Sequence, residues 1–204
     1  AATIVRAREL GINRIIPAQN NQQPFGSDSR PPLGFIVTGM GGPYLEHVLA
    51  DLGLSGVFPI LKMGMSYPID TQLVAEFSRH CKRMIVVEER RSFLEKNIRD
   101  AIFHDLPHEQ AADIASRLFG KRFPKLERNA GEDETVDGIP EVRGLNVSVL
   151  AQKLIPLIRN TQELPEHLRN GRLTAEWDLI RSVSKPKLNV ISGIVPRTPT
   201  FCPG

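Results

Sequence analysis

The stretch that decides the fold is Leu33-Gly-Phe-Ile-Val37 followed by Thr38-Gly-Met-Gly-Gly-Pro43. An apolar run with β-branched residues reads as a buried strand, and the glycine turn after it reads as the entry to a helix. The helix carries Tyr44, Leu45, Val48, Leu49 and Leu52 on one face. A second strand follows over Gly56–Lys62, then Met63-Gly-Met-Ser-Tyr-Pro-Ile-Asp70, and a helix with Leu73, Val74 and Phe77. A third strand, Arg83–Val87, ends in Glu88-Glu89. Strands alternating with helices predict a three-layer α/β/α sandwich with a mostly parallel sheet.

Outward from this unit the pattern is mixed. Ala1–Leu10 predicts a short helix with Ile4, Val5 and Leu10 inward and Gly11 as its stop. Ile12–Pro32 shows no sustained period and reads as a loop or linker, so ordered structure is expected from about Leu33. Ser92-Phe-Leu-Glu95 has the spacing of a capping box, opening a helix with Leu94, Ile98, Ala101 and Ile102 inward and an end near His104. A further helix starts at Pro107 and runs to Leu118, with Gly120 as its stop. Residues 121–145 read as irregular, and Gly131–Gly138 as a solvated acidic loop whose spacing does not suit an EF-hand. Asn146 caps a helix that Pro156 is expected to end or kink. Residues 163–182 are helical in parts, Leu188–Ile191 is a short strand, and Ile194–Gly204 is extended and proline-rich. The division expected is residues 1–32 as a helix and linker, 33–160 as the α/β domain, and 161–204 as an extension.

The 204 residues are 41% hydrophobic and 24% charged, ordinary for a globular chain. A net charge of +3, with its cations scattered among acids, does not argue for nucleic acid. No apolar run approaches the ~18 residues of a membrane span. Two distant cysteines, Cys81 and Cys202, make no disulfide framework and fit a cytoplasmic location. The start without Met and the stop at Cys-Pro-Gly204 read as a segment of a larger polypeptide.

Three constellations could carry chemistry. Gly39-Met-Gly-Gly42 sits between strand and helix, where backbone amides favour an anion. Its spacing is neither a dinucleotide fingerprint nor a Walker loop, and a tight turn that needs glycines is the other reading. Lys62 leaves the carboxyl end of a strand, the edge where open α/β sheets bind ligands, and could neutralise an acid or pair with Glu88 or Glu89. Glu88 and Glu89 are adjacent in an extended strand and point to opposite faces, one towards a buried partner and one outward. The acids also suit the positive end of the next helix. The candidate anion contacts are therefore Gly39, Gly41, Gly42 and Lys62. No residue is assigned a catalytic or metal-binding role. His47, His80, His104, His108 and His167 form no HExxH and there is no CxxC. Arg79, Lys82, Arg83, Arg90, Arg91, Lys96 and Arg99 crowd around one strand as a solvated face or a contact surface.

Taken together, Thr38-Gly-Met-Gly-Gly, Lys62-Met-Gly-Met-Ser-Tyr-Pro-Ile-Asp70 and Val86-Val-Glu-Glu-Arg-Arg-Ser-Phe-Leu-Glu95 resemble the transketolase C-terminal-like domain of indolepyruvate ferredoxin oxidoreductase. Pro196-Arg-Thr-Pro-Thr-Phe-Cys-Pro-Gly204 resembles the start of that family's segment leading into its thiamine-diphosphate-binding domain, with Thr198 and Phe201 as departures. The resemblance implies a 2-oxoacid oxidoreductase that oxidatively decarboxylates aryl 2-oxoacids to acyl-CoA. It implies thiamine diphosphate, magnesium, 4Fe-4S clusters and coenzyme A for the full enzyme, and none of these cofactors within this stretch. The implied partners are other domains or subunits of the oxidoreductase and ferredoxin, with no nucleic acid and no membrane. This stretch would be a scaffold and interface domain, inactive alone. The alternative is a free-standing nucleotide-, coenzyme A- or anion-binding module.

Overall fold

The computed structural model describes residues 2–19, 30–126, 134–142 and 144–184. In chain order the elements are α1 (Ala2–Glu9), β1 (Asn13–Ile16), β2 (Leu33–Val37), α2 (Gly41–Asp51), β3 (Ile60–Met63), α3 (Thr71–Phe77), β4 (Arg83–Val87) and α4 (Phe93–Asp105). They continue with α5 (His108–Ser116), β5 (Leu118–Phe119), β6 (Arg122–Pro124), β7 (Thr135–Asp137), α6 (Val147–Asn160), α7 (Glu166–Arg169) and α8 (Arg172–Ser184).

Five strands form one sheet in the order β1-β3-β2-β4-β5. All neighbours are parallel except β1 and β3. Side-chain alternation along the central strands builds a core on each face. Phe35 and Val37 of β2, with Ile85 and Val87 of β4, join Leu45, Val48 and Leu49 of α2 and Leu150, Leu154 and Ile158 of α6. Ile36, Met84 and Val86 point the other way, to Val74 and Phe77 of α3, Leu94, Ile98 and Ile102 of α4, and Ile114 of α5. The two central strands are therefore apolar on both faces over Leu33–Val37 and residues 84–87, as a sheet covered on both sides requires. The three-layer α/β/α sandwich and its mostly parallel sheet follow the expectation.

Several local expectations change. Ile12–Pro32 is not all linker, because Asn13–Ile16 pairs antiparallel with Ile60–Met63. In α1 the buried side chain is Ala7, while Val5 and Leu10 are more than half exposed. The second strand is shorter than Gly56–Lys62, since the turns over residues 54–58 pack Leu54 and Phe58 into the core first. Phe58 meets Phe35 edge-to-face at 5.5 Å. Leu118 does not close α5; it starts β5 and lies beside Met84. Within residues 121–145, β6 and β7 pair antiparallel, so that stretch is not irregular throughout.

Asn146 caps α6, its side-chain oxygen accepting from the Val149 amide at 2.9 Å. Pro156 does not end that helix, which runs on to Asn160. Leu157 and Ile158, beyond the proline, are buried in the core, and their packing holds the last turn. Glu166–Arg169 and Arg172–Ser184 are helical as expected, with Trp177 half-buried against the α2 face. The expected strand at Leu188–Ile191, the Pro196–Gly204 motif and Cys202 lie outside the described residues.

Candidate functional site

The carboxyl ends of β2, β3 and β4 share one edge of the sheet, and the three quoted motifs leave from it. At the first, Gly39 adopts φ +52°, a left-handed conformation that a side chain disfavours. A Cβ on Gly41 would stand 2.5 Å from the Val87 carbonyl oxygen. The amides of Gly41 and Gly42 fold back onto the Thr38 and Gly39 carbonyls, at 3.1 and 3.4 Å. These glycines thus serve a tight turn that brings α2 down onto the end of β4.

Lys62 pairs with Glu46 of α2 and not with Glu88 or Glu89. It sits beside Val37 on one side and opposite Arg14 of β1 on the other. Lys62, Arg14, Thr38, Gly39, Gly42 and Gly64 line a cleft of about 180 Å³. Three of the four sequence-derived contacts therefore come together, while Gly41 is packed against Val87 and is not part of the lining. Arg14 was not legible, because its strand had no sequence signal of its own. A second cavity, of about 260 Å³, opens between the β6–β7 strand pair and α6 and is lined by residues that include Phe123, Leu126, Val136 and Pro156.

Glu88 is the buried member of the acid pair and Glu89 the exposed one. Its carboxylate accepts from the amides of Leu94, at 2.6 Å, and Glu95, at 3.1 Å. Ser92 makes no side-chain cap bond, which corrects the capping-box expectation. The strand-end carboxylate occupies the amides that the serine would have used. Glu95, freed from that box, accepts instead from the Lys121 amide at 3.0 Å. Lys121 Nζ donates to the Glu88 carbonyl at 3.1 Å. Burial raises the Glu88 pKa, opposed by the two amides and by Lys121. Burial lowers that of Lys121, opposed by Glu88, Glu141 and Glu95.

The loop after β3 is held from the N-terminal side. Asn13 exchanges hydrogen bonds with the Met65 backbone, donating at 3.1 Å and accepting at 2.9 Å. Asp70 caps α3 through the Leu73 amide, at 3.0 Å, and takes a two-point ion pair from Arg8. The basic run does not form one solvated face. Arg83 pairs with Glu163 at 2.9 Å, and Arg99 reaches the Ala115 carbonyl at 2.8 Å.

Among the described residues no group of three or more His, Cys, Asp or Glu side chains could hold a metal ion. Cys81 is a buried free thiol whose pKa burial pushes up to about 12, with its sulfur close against Gly34. Such a thiol is a poor metal ligand. No helix among the described residues is long and apolar enough to cross a membrane.

The family model for the indolepyruvate oxidoreductase domain matches residues 26–130. The chain is 36% identical over 94 residues to indolepyruvate oxidoreductase subunit IorA of Methanothermobacter thermautotrophicus, covering 46% of this chain and 13% of that protein. It is 28% identical over 116 residues to the same subunit of Archaeoglobus fulgidus, covering 57% and 17%. For that of Pyrococcus horikoshii the figures are 23% over 147 residues, covering 71% and 22%. The chain thus spans less than a quarter of the length of these curated relatives. No solved structure matches it. The strand-end motifs and the matched stretch coincide, and the chain belongs to the indolepyruvate oxidoreductase domain family.

Proposed function

We propose that this chain is a non-catalytic scaffold and interface domain of an indolepyruvate ferredoxin oxidoreductase. The observation that carries the reading is where the buried polar groups at the strand-end edge are spent. Glu88 caps α4, Asp70 caps α3 and holds α1, and Asn13 fixes the loop after β3. Every buried side-chain nitrogen or oxygen among the described residues has a partner. Catalytic groups instead keep hydrogen-bonding capacity directed at a substrate.

In the parent enzyme, oxidative decarboxylation of an aryl 2-oxoacid to an acyl-CoA, with electrons passing to ferredoxin, is the work of other domains or subunits. Thiamine diphosphate supplies the carbanion chemistry there, with magnesium, and 4Fe-4S clusters carry the electrons. The relatives are named as subunits, which supports a setting among other chains. A cytoplasmic location belongs to the same reading.

The test uses the 204-residue chain itself. Purified, it is expected to show no indolepyruvate oxidation with ferredoxin or an artificial acceptor, and no thiamine diphosphate binding by calorimetry. Turnover, or micromolar binding of the cofactor, would overturn the scaffold assignment.

A further inference from the structure

We infer that the cleft between β1, β3 and the β2–α2 turn is a binding site for a phosphate-bearing small molecule, held by Lys62 and Arg14. The site stands apart from the scaffold reading and needs nothing from the parent enzyme.

The register supplies the first reason. Arg14 and Lys62 are direct partners across the antiparallel β1–β3 pair. Side chains so paired share one face of the sheet, and like charges placed there repel. Here that face is the α2 side: Ile16, two residues from Arg14, and Ile60, two from Lys62, both pack into the α2 core. Among the described residues one carboxylate, Glu46, answers the two cations, and it is bound to Lys62. Arg14 spends one nitrogen on the Gly11 carbonyl, at 2.7 Å, a neutral partner that leaves its charge uncompensated.

The second reason is the cleft itself. Its lining holds both cations, the Thr38 hydroxyl, and Gly39, Gly42 and Gly64, which present no side chain to block an approaching anion. Thr38, a partly buried lining residue, makes no side-chain hydrogen bond among the described residues. A phosphate monoester is a dianion with several acceptor oxygens. It suits two cations and a hydroxyl, whereas a single carboxylate leaves one cation unmet. With the Gly41 and Gly42 amides bonded within the turn, the holding groups are side chains and not a helix end. Glu46 already marks where an oxyanion contacts Lys62. It is half-exposed at 49%, so it can leave for solvent when phosphate enters.

Competition with Glu46 makes the site testable on the full 204-residue chain. Inorganic phosphate and pyrophosphate are titrated at low ionic strength, following backbone amide shifts of Thr38, Gly39 and Gly64. Saturable shifts at these amides are expected. Lys62→Ala and Arg14→Gln should each weaken binding at least tenfold, and Glu46→Gln should tighten it several-fold. Glu46 lies on the exposed side of α2, so that variant keeps the reading usable if Lys62→Ala does not fold. An absence of saturable shifts would overturn the site, as would affinity unchanged in Arg14→Gln or weakened in Glu46→Gln. None of these outcomes bears on whether the domain is catalytic, so the two readings fail separately.

Discussion

The Glu88 carboxylate at the end of β4 accepts the Leu94 amide at 2.6 Å, so the strand that carries the acid also caps the helix that follows it. The Glu95 amide is held by the other oxygen at 3.1 Å. Glu88→Ala leaves two helix-end donors in a buried place and should cost about 1–3 kcal/mol. Glu88→Gln keeps one acceptor and should cost less. Ser92→Ala, which removes no cap bond, should cost below about 0.5 kcal/mol. Urea unfolding of the three variants gives the ranking, and a larger loss for Ser92→Ala than for Glu88→Ala would return the cap to the serine.

The same acid predicts a pH slope. Burial, only partly offset by the amides and Lys121, holds the folded pKa of Glu88 above the ordinary 4.5. Between those two values the folded state keeps a proton that the unfolded chain has lost. Stability from this group is therefore greatest below about pH 4.5 and falls as pH rises through the folded value. Glu163 runs the other way. Burial pushes its pKa up, but the Arg83 hydrogen bond and nearby cations pull it down further, for a net decrease. Its contribution is present above the ordinary 4.5 and is lost as pH falls through the lowered folded value. Both partners are partly exposed, so Arg83→Ala should cost only about 0.5–1 kcal/mol at neutral pH. Stability measured against pH should show Glu88→Gln flattening the decline above pH 4.5, and Arg83→Ala shrinking the gain on the acid side.

The central β-α-β-α-β order was legible because each element has a strong local period. Leu33–Val37 and residues 84–87 are continuous apolar runs, and their helices repeat on one face. β1 was not legible: Asn13 and Arg14 open a strand of four residues, and its pairing with Ile60–Met63 is set by the tertiary fold. The cap on α4 was misassigned for a related reason. Ser92 and Glu95 have the local spacing, but Glu88, six residues before Leu94, reaches the amides from the end of a buried strand. In the cleft, Lys62 and the glycines were visible as a motif, whereas Arg14 arrives only through strand pairing. The continuation of α6 past Pro156 likewise depends on burial of Leu157 and Ile158, which the proline signal hides.

The glycine turn gives a test of packing against conformation. Gly39→Ala places a side chain at φ +52° with nothing within 4 Å, so its cost is backbone strain alone, about 1–2 kcal/mol. Gly41→Ala directs its Cβ at the Val87 carbonyl oxygen, 2.5 Å away, on a strand that cannot yield without disturbing the sheet. Overpacking of this kind costs about 1–3 kcal/mol or more, and here backbone meets backbone, so the upper end is expected. Urea midpoints should rank wild type above Gly39→Ala and Gly39→Ala above Gly41→Ala. The reverse order would mean that α2 does not rest on the end of β4.

Arg8 and Asp70 tie the N-terminal helix to the start of α3, and this pair tests whether residues 2–16 belong to the folded unit. Asp70 is 1% exposed, so removing Arg8 leaves a buried carboxylate with the Leu73 amide alone among its polar contacts. Breaking a buried pair costs about 3–5 kcal/mol, but the Arg8 side chain is 37% exposed and water can replace part of it, so about 1–3 kcal/mol is expected for Arg8→Ala. Asp70→Ala removes the helix cap as well and should cost more, unless relief of the buried charge outweighs the cap. Hydrogen exchange separates the alternatives. In Arg8→Ala the amides of Leu10 and Ile12, bonded to the Arg6 and Ala7 carbonyls, should lose protection, as should that of Gly64, bonded to Ile12. The amides of Ile36 and Val86 in the central strands should keep theirs. Unchanged protection at Ile12 and Gly64 would show that β1 pairing, and not the ion pair, holds this segment on the sheet.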